Sequence, residues 1–235
     1  MNCRNYEDSH GQVIKNSLDI PHVMQEDSFD CGLACVCMIL RGLGQHDITV
    51  ANMHEAVSMS TSIWTIDLAF LLRSYAPDLD FTLYTSFTGA RTQHRTTFDE
   101  DEQRVNHLFD IAQDSRVKTV RMILSLDDFR KLLRSSSFTI IALVNSRLIR
   151  CRLCQQHQLC YQPLLEVFNS FLEFWNGNGY AGHFIVLVSF DPKTDSFIYR
   201  DPGVIDEDCM ITARNFEVAR RSPGTDEDCI VIKLL

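Results

Sequence analysis

No stretch of about 18 consecutive apolar residues occurs in the chain, so the sequence offers no candidate for a membrane-spanning helix. The first twenty residues, MNCRNYEDSHGQVIKNSLDI, lack the basic start and the apolar stretch of a signal peptide. No repeat period and no low-complexity tract are present, which excludes solenoids and repeat arrays. Positive charge is short as well. Lys and Arg number 22 against 31 Asp and Glu, a net charge of -9, and no basic patch stands out. A nucleic-acid backbone is therefore not the expected partner. These absences predict a soluble intracellular chain, cytosolic or also nuclear, with no membrane or nucleic-acid partner; nothing in them fixes an oligomeric state.

What is present is 45% hydrophobic residues over a length of 235, enough to bury one substantial core. Nine cysteines, an odd number without a secretory signal, read as thiols or metal ligands in a reducing compartment. We expect a loose polar tail over residues 1–20 and a single domain over 21–235, with a Cys-rich insert near 150–180.

Helix and strand signals are intermixed. The run CGLACVCMILRGLG from Cys31 has helical length, with Gly42 and Gly44 as its stop. A second helix is predicted over Ile63 to Tyr75, capped by Thr61 or Ser62 and closed by Ala76-Pro77. DFTLYT reads as a strand, Ser86 to Arg104 as a long polar loop entering a helix over Glu102 to Ala112, and Val117 to Ile123 as a strand. Ser125 with Asp128 three residues on predicts a helix over Leu126 to Leu133. FTIIALVNSRLI has the β-branched content of a central strand. HFIVLVSF and SFIYR, joined by DPKTD, read as a hairpin. A short helix over Ala213 to Arg220 and the strand CIVIKLL complete an α+β layout, helices early and antiparallel sheet late.

The stretch QEDSFDCGLACVC places Cys31 in the first turn of a helix, where unpaired backbone N–H groups and the positive end of the helix dipole favour a thiolate. Gln25, six residues earlier, has a side-chain amide able to donate to an oxyanion on a carbonyl attacked by Cys31, beside the backbone N–H of Cys31 itself. Cys35 and Cys37 read as buried thiols. The segment GHFIVLVSFDPKTDSFIYRDPG supplies a base and its orienting acid. With a five-residue turn over Asp191 to Asp195, Phe190 pairs with Ser196 and Ile185 stands opposite Asp201. His183, two residues from Ile185 on the same strand, is then a diagonal neighbour of Asp201. A register shift of one would separate them. Cys31 as nucleophile, His183 as base and Asp201 as holder of the imidazole tautomer make a thiol hydrolase triad.

Gln25, then Asp30-Cys31-Gly32-Leu33-Ala34-Cys35, then Gly182-His183 and Asp201-Pro202, resemble in order and motif the papain-fold peptidases of the bacteriocin-processing (C39) type. The resemblance implies a papain-like (C39-like) cysteine peptidase fold, the nucleophile helix packed on the late sheet, with Gln25 serving the oxyanion hole. A whole-chain resemblance, carried by CGLAC, SIWTIDLAFLL, ALVNSRLIRCRLC, GHFIVL and NFEVARRSPGTDED, is to the guanylyl cyclase domain-containing proteins, including plant enzymes described as soluble guanylyl cyclases. That family name implies conversion of GTP to cyclic GMP with Mg or Mn. The sequence has no GxxxxGK[ST] loop and no acidic pair placed for two metals, and the runs DEDE near Asp99 and TDED near Thr225 read as solvated surface.

In CRLCQQHQLC, Cys151, Cys154, His157 and Cys160 recur every three residues. Three thiols and an imidazole can supply the four ligands of a structural zinc; a loop of unligated thiols fits the same residues. Asn176 to Gly179 reads as a plain turn or as part of a cleft rim; Trp64 reads as core, and Trp175 is large enough to line a pocket. Three expectations stand: a thiol hydrolase acting on a peptide, isopeptide or amide substrate and needing no cofactor; a GTP cyclase; and a silent papain-like protein-binding module. The first ranks highest because the triad residues have chemical reasons to be where they are.

Overall fold

The computed structural model describes residues 19–27, 29–57, 62–90, 99–153 and 180–234. The elements run α1 (Cys31–Gly42), α2 (Val50–Ala56), α3 (Thr65–Tyr75), β1 (Phe81–Thr85), α4 (Asp99–Ile111), β2 (Thr119–Arg121), α5 (Leu126–Arg134) and β3 (Phe138–Asn145). After a 3-10 turn at Ser146–Leu148 come β4 (Gly182–Asp191), β5 (Ser196–Arg200), β6 (Cys209–Thr212), α6 (Ala213–Arg220) and β7 (Cys229–Lys233). The strands form one sheet in the order β2-β1-β7-β3-β4-β5-β6. Its pairs are antiparallel except β1 with β2.

The apolar runs of β3 and β4 are buried on both sides, which is why they read as continuous rather than alternating. Ile141, Phe184, Val186 and Val188 face one core with α1 and α3. Ile140, Ala142, Ile185 and Leu187 face a second core with Phe129 and Leu133 of α5 and Phe216 of α6. A helical layer thus lies on each face of the sheet. Every residue of α1 from Cys31 to Leu40 is buried. A Cβ on Gly32 would stand 3.0 Å from both Leu68 and Phe184, so this glycine lets the first turn of α1 sit between α3 and β4. Gly44 stops the chain after α1 in a left-handed conformation (φ +94).

Several expectations need correction. Helix α3 begins at Thr65, because Asp67 accepts the backbone N–H of Trp64 at 2.8 Å and so caps the helix there rather than at Thr61 or Ser62. Trp64 is partly buried and packs on the first core. Helix α4 starts three residues early, at Asp99, and Arg104 on it pairs with Asp67 on α3 and with Asp101. Strand β3 ends at Asn145, whose side chain accepts from Arg147 N and turns the chain into the 3-10 turn. Helix α2 and strand β6 had no reading; α2 is held by the mutual Thr49–Asn52 cap. Strands β1 and β2 join the late strands in one sheet, so the early half of the chain contributes to it too.

The hairpin register carries the most consequence. Asp191 pairs with Ser196, leaving four residues in the turn rather than five. Asp191 shapes that turn by accepting from Lys193 N and the Thr194 hydroxyl. On this count alone Asp201 would be displaced by one residue from Ile185. A bulge at Val188 restores the offset: Leu187 pairs with Tyr199 and Val186 with Arg200, so the next pair in register is Ile185 with Asp201.

Candidate active site

Three backbone segments meet at the N-terminal end of α1. Cys31 opens the helix and is 8% exposed. His183 stands at the start of β4, and Asp201 follows the end of β5. The His183 Nε2 atom lies 2.7 Å from Asp201 Oδ1, and the ring is also hydrogen-bonded to the Cys31 thiol. With Nε2 on the carboxylate, Nδ1 is the nitrogen left for the sulfur. Asp201 Oδ1 further accepts the N–H of Gly203 at 2.9 Å, which fixes the carboxylate against its own turn. The structure therefore brings together the three residues predicted as a triad.

Burial is the largest influence on His183 and by itself would lower its proton affinity. The hydrogen bonds to Asp201 and Cys31 and the charges of both outweigh it, and the imidazole is pushed up to about 10. Burial and the neighbouring Cys31 push the Cys35 thiol well up, and burial raises Cys37 to about 11. These two buried thiols are poor nucleophiles at neutral pH, as the sequence indicated.

Gln25 reaches the site through a strap of backbone contacts. Arg200 Nε donates to Ile20 O, His22 Nε2 lies 2.9 Å from Asp201 O, and Gln25 N donates to Pro202 O at 2.9 Å. A Cβ on Gly203 would stand 3.3 Å from Asp201 Oδ1, 3.4 Å from His183 Cε1 and 3.6 Å from Gln25 Oε1, so these three side chains converge around one glycine. Gln25 Nε2 donates to Asp27 O at 3.0 Å, which commits one of its two amide hydrogens. Its Oε1 is buried with no partner.

Sequence reading missed several neighbours. Asp30, directly before Cys31, is fully buried. Its Oδ2 accepts the N–H of Asp27, and its Oδ1 lies 2.6 Å from His54 Nε2, at ion-pair distance but without hydrogen-bond alignment. Tyr180 packs its ring against Gly224, which has φ +101 and no room for a side chain, and its hydroxyl faces Gly182. Burial, then Asp228, Asp226 and Cys31, push its phenol up, so it stays neutral. No pattern around Tyr180 or His54 marks them in the sequence. His22, three residues before Gln25 in PHVMQ, was visible but had no periodic or motif signal.

Of the proposed zinc ligands, Cys151 is buried in the second core, where Tyr199 bonds to it. Cys154, His157 and Cys160 lie outside the described residues, as do Trp175 and Asn176 to Gly179. Among the described residues no three His, Cys, Asp or Glu side chains gather closely enough to hold a metal ion, and no helix is long and apolar enough to cross a membrane. Two hollows, of about 340 Å³ beside Arg116 and Lys118 and about 460 Å³ beside Ile48 and Tyr75, both lie away from the thiol.

Comparison with known proteins adds two findings. A Bacillus anthracis protein described as a C39-like peptidase superposes with a TM-score of 0.50 at 12% identity, over 91% of this chain and 94% of that one. The peptidase domain of Streptococcus ComA gives 0.47 at 10% identity, over 92% and 100%. The fold is α+β of the papain-like, C39-like kind. By sequence, the chain is 35% identical to Guanylyl cyclase 1 of Arabidopsis thaliana over 235 residues, 97% of this chain and 80% of that protein. The family model described as guanylylate cyclase matches residues 20–232, and with that coverage the chain belongs to the guanylylate cyclase family.

Proposed function

We propose that this member of the family is a thiol hydrolase that cleaves a peptide, isopeptide or amide bond through Cys31, His183 and Asp201. The observation that carries the reading is the part-buried 2.7 Å contact of His183 Nε2 with Asp201, with the Cys31 thiol on the same ring. The Cys31 thiol gives its proton to His183, and the sulfur attacks the carbonyl carbon to form a C–S bond as the carbonyl electron pair moves to oxygen. The backbone N–H of Cys31 and the uncommitted amide hydrogen of Gln25 meet the oxyanion. His183, held as imidazolium, passes its proton to the leaving nitrogen as the C–N bond breaks. Water then gives a proton to His183 and attacks the thioester, releasing the acid and restoring the sulfur. This reading needs no cofactor, and its partner is a peptide or protein; the zinc reading of the insert adds at most a structural role.

The test is alkylation of Cys31 by iodoacetamide across pH, read by peptide mass spectrometry. Wild type is expected to alkylate readily well below pH 8.5, roughly where an unperturbed thiol titrates, and His183→Ala to lose that behaviour. Equal behaviour in both proteins would remove the assembled triad and favour a silent binding module.

The name of the Arabidopsis relative favours a second reading, conversion of GTP to cyclic GMP. That chemistry calls on Mg or Mn carboxylate ligands, and the described residues provide no such group. Cyclic GMP formed from GTP and Mn, undiminished after Cys31 is alkylated, would establish this reading instead.

A further inference from the structure

Seven large apolar side chains are exposed among the described residues, and three of them lie on the two stretches that carry the candidate site residues. Met24, 41% exposed, precedes Gln25. Phe29, 70% exposed, stands two residues before Cys31. Ile205, 87% exposed, stands two residues after Gly203, the glycine around which Gln25, His183 and Asp201 converge. The bond from Gln25 N to Pro202 O holds these two stretches side by side. Single exposed apolar residues are ordinary, but three on two joined stretches that carry Gln25, Cys31 and Asp201 offer apolar area that water solvates poorly and a ligand would cover.

The same stretches carry charge of one sign. Residues 24–30 read MQEDSFD and 202–208 read PGVIDED, with no lysine or arginine in either. Arg200 pairs with Asp208, while Glu26 and Glu207 remain exposed beside the apolar side chains. An apolar rim set in negative charge complements a cation carried next to apolar groups and repels a polyanion.

We infer that the rim of Met24, Phe29 and Ile205 selects peptide substrates with large apolar residues at the scissile bond and a lysine or arginine close by. The inference rests on the hydrolase reading and names the substrate class of that site. The apolar residues would bury against Phe29 and Ile205, and the cation would lie over Glu26, Asp27 and Glu207. A substrate with glycines at the scissile bond would leave the rim uncovered.

Three peptidyl chloromethyl ketones, Arg-Leu-Leu, Arg-Gly-Gly and Glu-Leu-Leu, test it on the whole chain. In each the Cys31 sulfur displaces chloride to form a thioether, read by peptide mass spectrometry beside iodoacetamide. Arg-Leu-Leu is expected to label Cys31 at least about tenfold faster than Arg-Gly-Gly, the scale of burying one or two apolar side chains. It should also outpace Glu-Leu-Leu severalfold, with that gap narrowing in high salt. In the Phe29→Ser, Ile205→Ser double variant the Leu-to-Gly ratio should fall towards one. If iodoacetamide labels Cys31 in the His183-dependent manner but the three ketones label at equal rates, or the Gly-Gly probe is fastest, the rim inference is overturned and the hydrolase reading stands. A Leu preference without a charge preference overturns its cationic half. If iodoacetamide shows no His183 dependence, the hydrolase reading fails and takes the inference with it.

Discussion

At His183 the candidate site couples protonation to stability. A histidine in an unfolded chain titrates near 6.5, and the folded environment of this one raises that to about 10. The folded state thus binds the proton more tightly than the unfolded state. The stabilisation this supplies is complete below about pH 6.5 and is lost as pH climbs towards 10. Urea unfolding across that window should show wild type losing stability that His183→Ala lacks; parallel pH profiles for the two proteins would refute the coupling. The sequence named Cys31, His183 and Asp201 because each sits in a local context with its own chemical logic, a helix start, a strand start and a turn before proline, and Gln25 because its amide stands six residues before the thiol. Asp30 with His54 and Tyr180 with Gly224 escaped because their partners are 24 and 44 residues away, and nothing local marks such pairs.

Among the elements, the β4–β5 hairpin decides whether base and acid meet. Counting from an assumed five-residue turn put Ile185 opposite Asp201. The structure reaches the same pairing by a different route, a four-residue turn plus the bulge at Val188. The bulge also changes which face later residues take, so Phe190 joins Leu187 in the second core while Val188 stays in the first. Inserting one alanine between Val186 and Leu187 adds a residue beyond the one the bulge absorbs and should move His183 one position along relative to Asp201. Alkylation of Cys31 below pH 8.5 is then expected to fall at least about tenfold, to the level of His183→Ala, because an imidazole one register away no longer reaches the sulfur. Retention of wild-type alkylation would show that the turn itself absorbs the change. A bulge has no composition signature here, since Val188 is an ordinary strand residue with neither glycine nor proline beside it; α2 and β6 were missed for the related reason that seven and four residues are too short for a period to declare itself.

At the scale of the molecule, the sheet is clad on both faces, and the thiol helix belongs to one face alone. Phe129 of α5 belongs to the other. It is 1% exposed, meets Phe216 edge-on at 5.1 Å between ring centroids, and lies 4.9 Å under the Arg220 guanidinium. Phe129→Ala should cost about 3–5 kcal/mol of unfolding free energy in urea, the usual range for deleting a buried aromatic ring. Below the new unfolding midpoint, His183-dependent alkylation of Cys31 should survive, because none of these contacts reaches the first core. Loss of both together would mean that the two layers do not act separately. The sequence by itself determined the α+β class, the buried helix behind Cys31, most of the strands and the identity of the candidate nucleophile, base and acid, since these follow from local periodicity, capping and side-chain chemistry. Tertiary structure alone decided the single mixed sheet, the strap that carries Gln25 to Pro202, the burial of Asp30 and the exposure of Met24, Phe29 and Ile205. Each of those depends on which distant segments share a surface, and side-chain patterns within one segment hold no record of that choice.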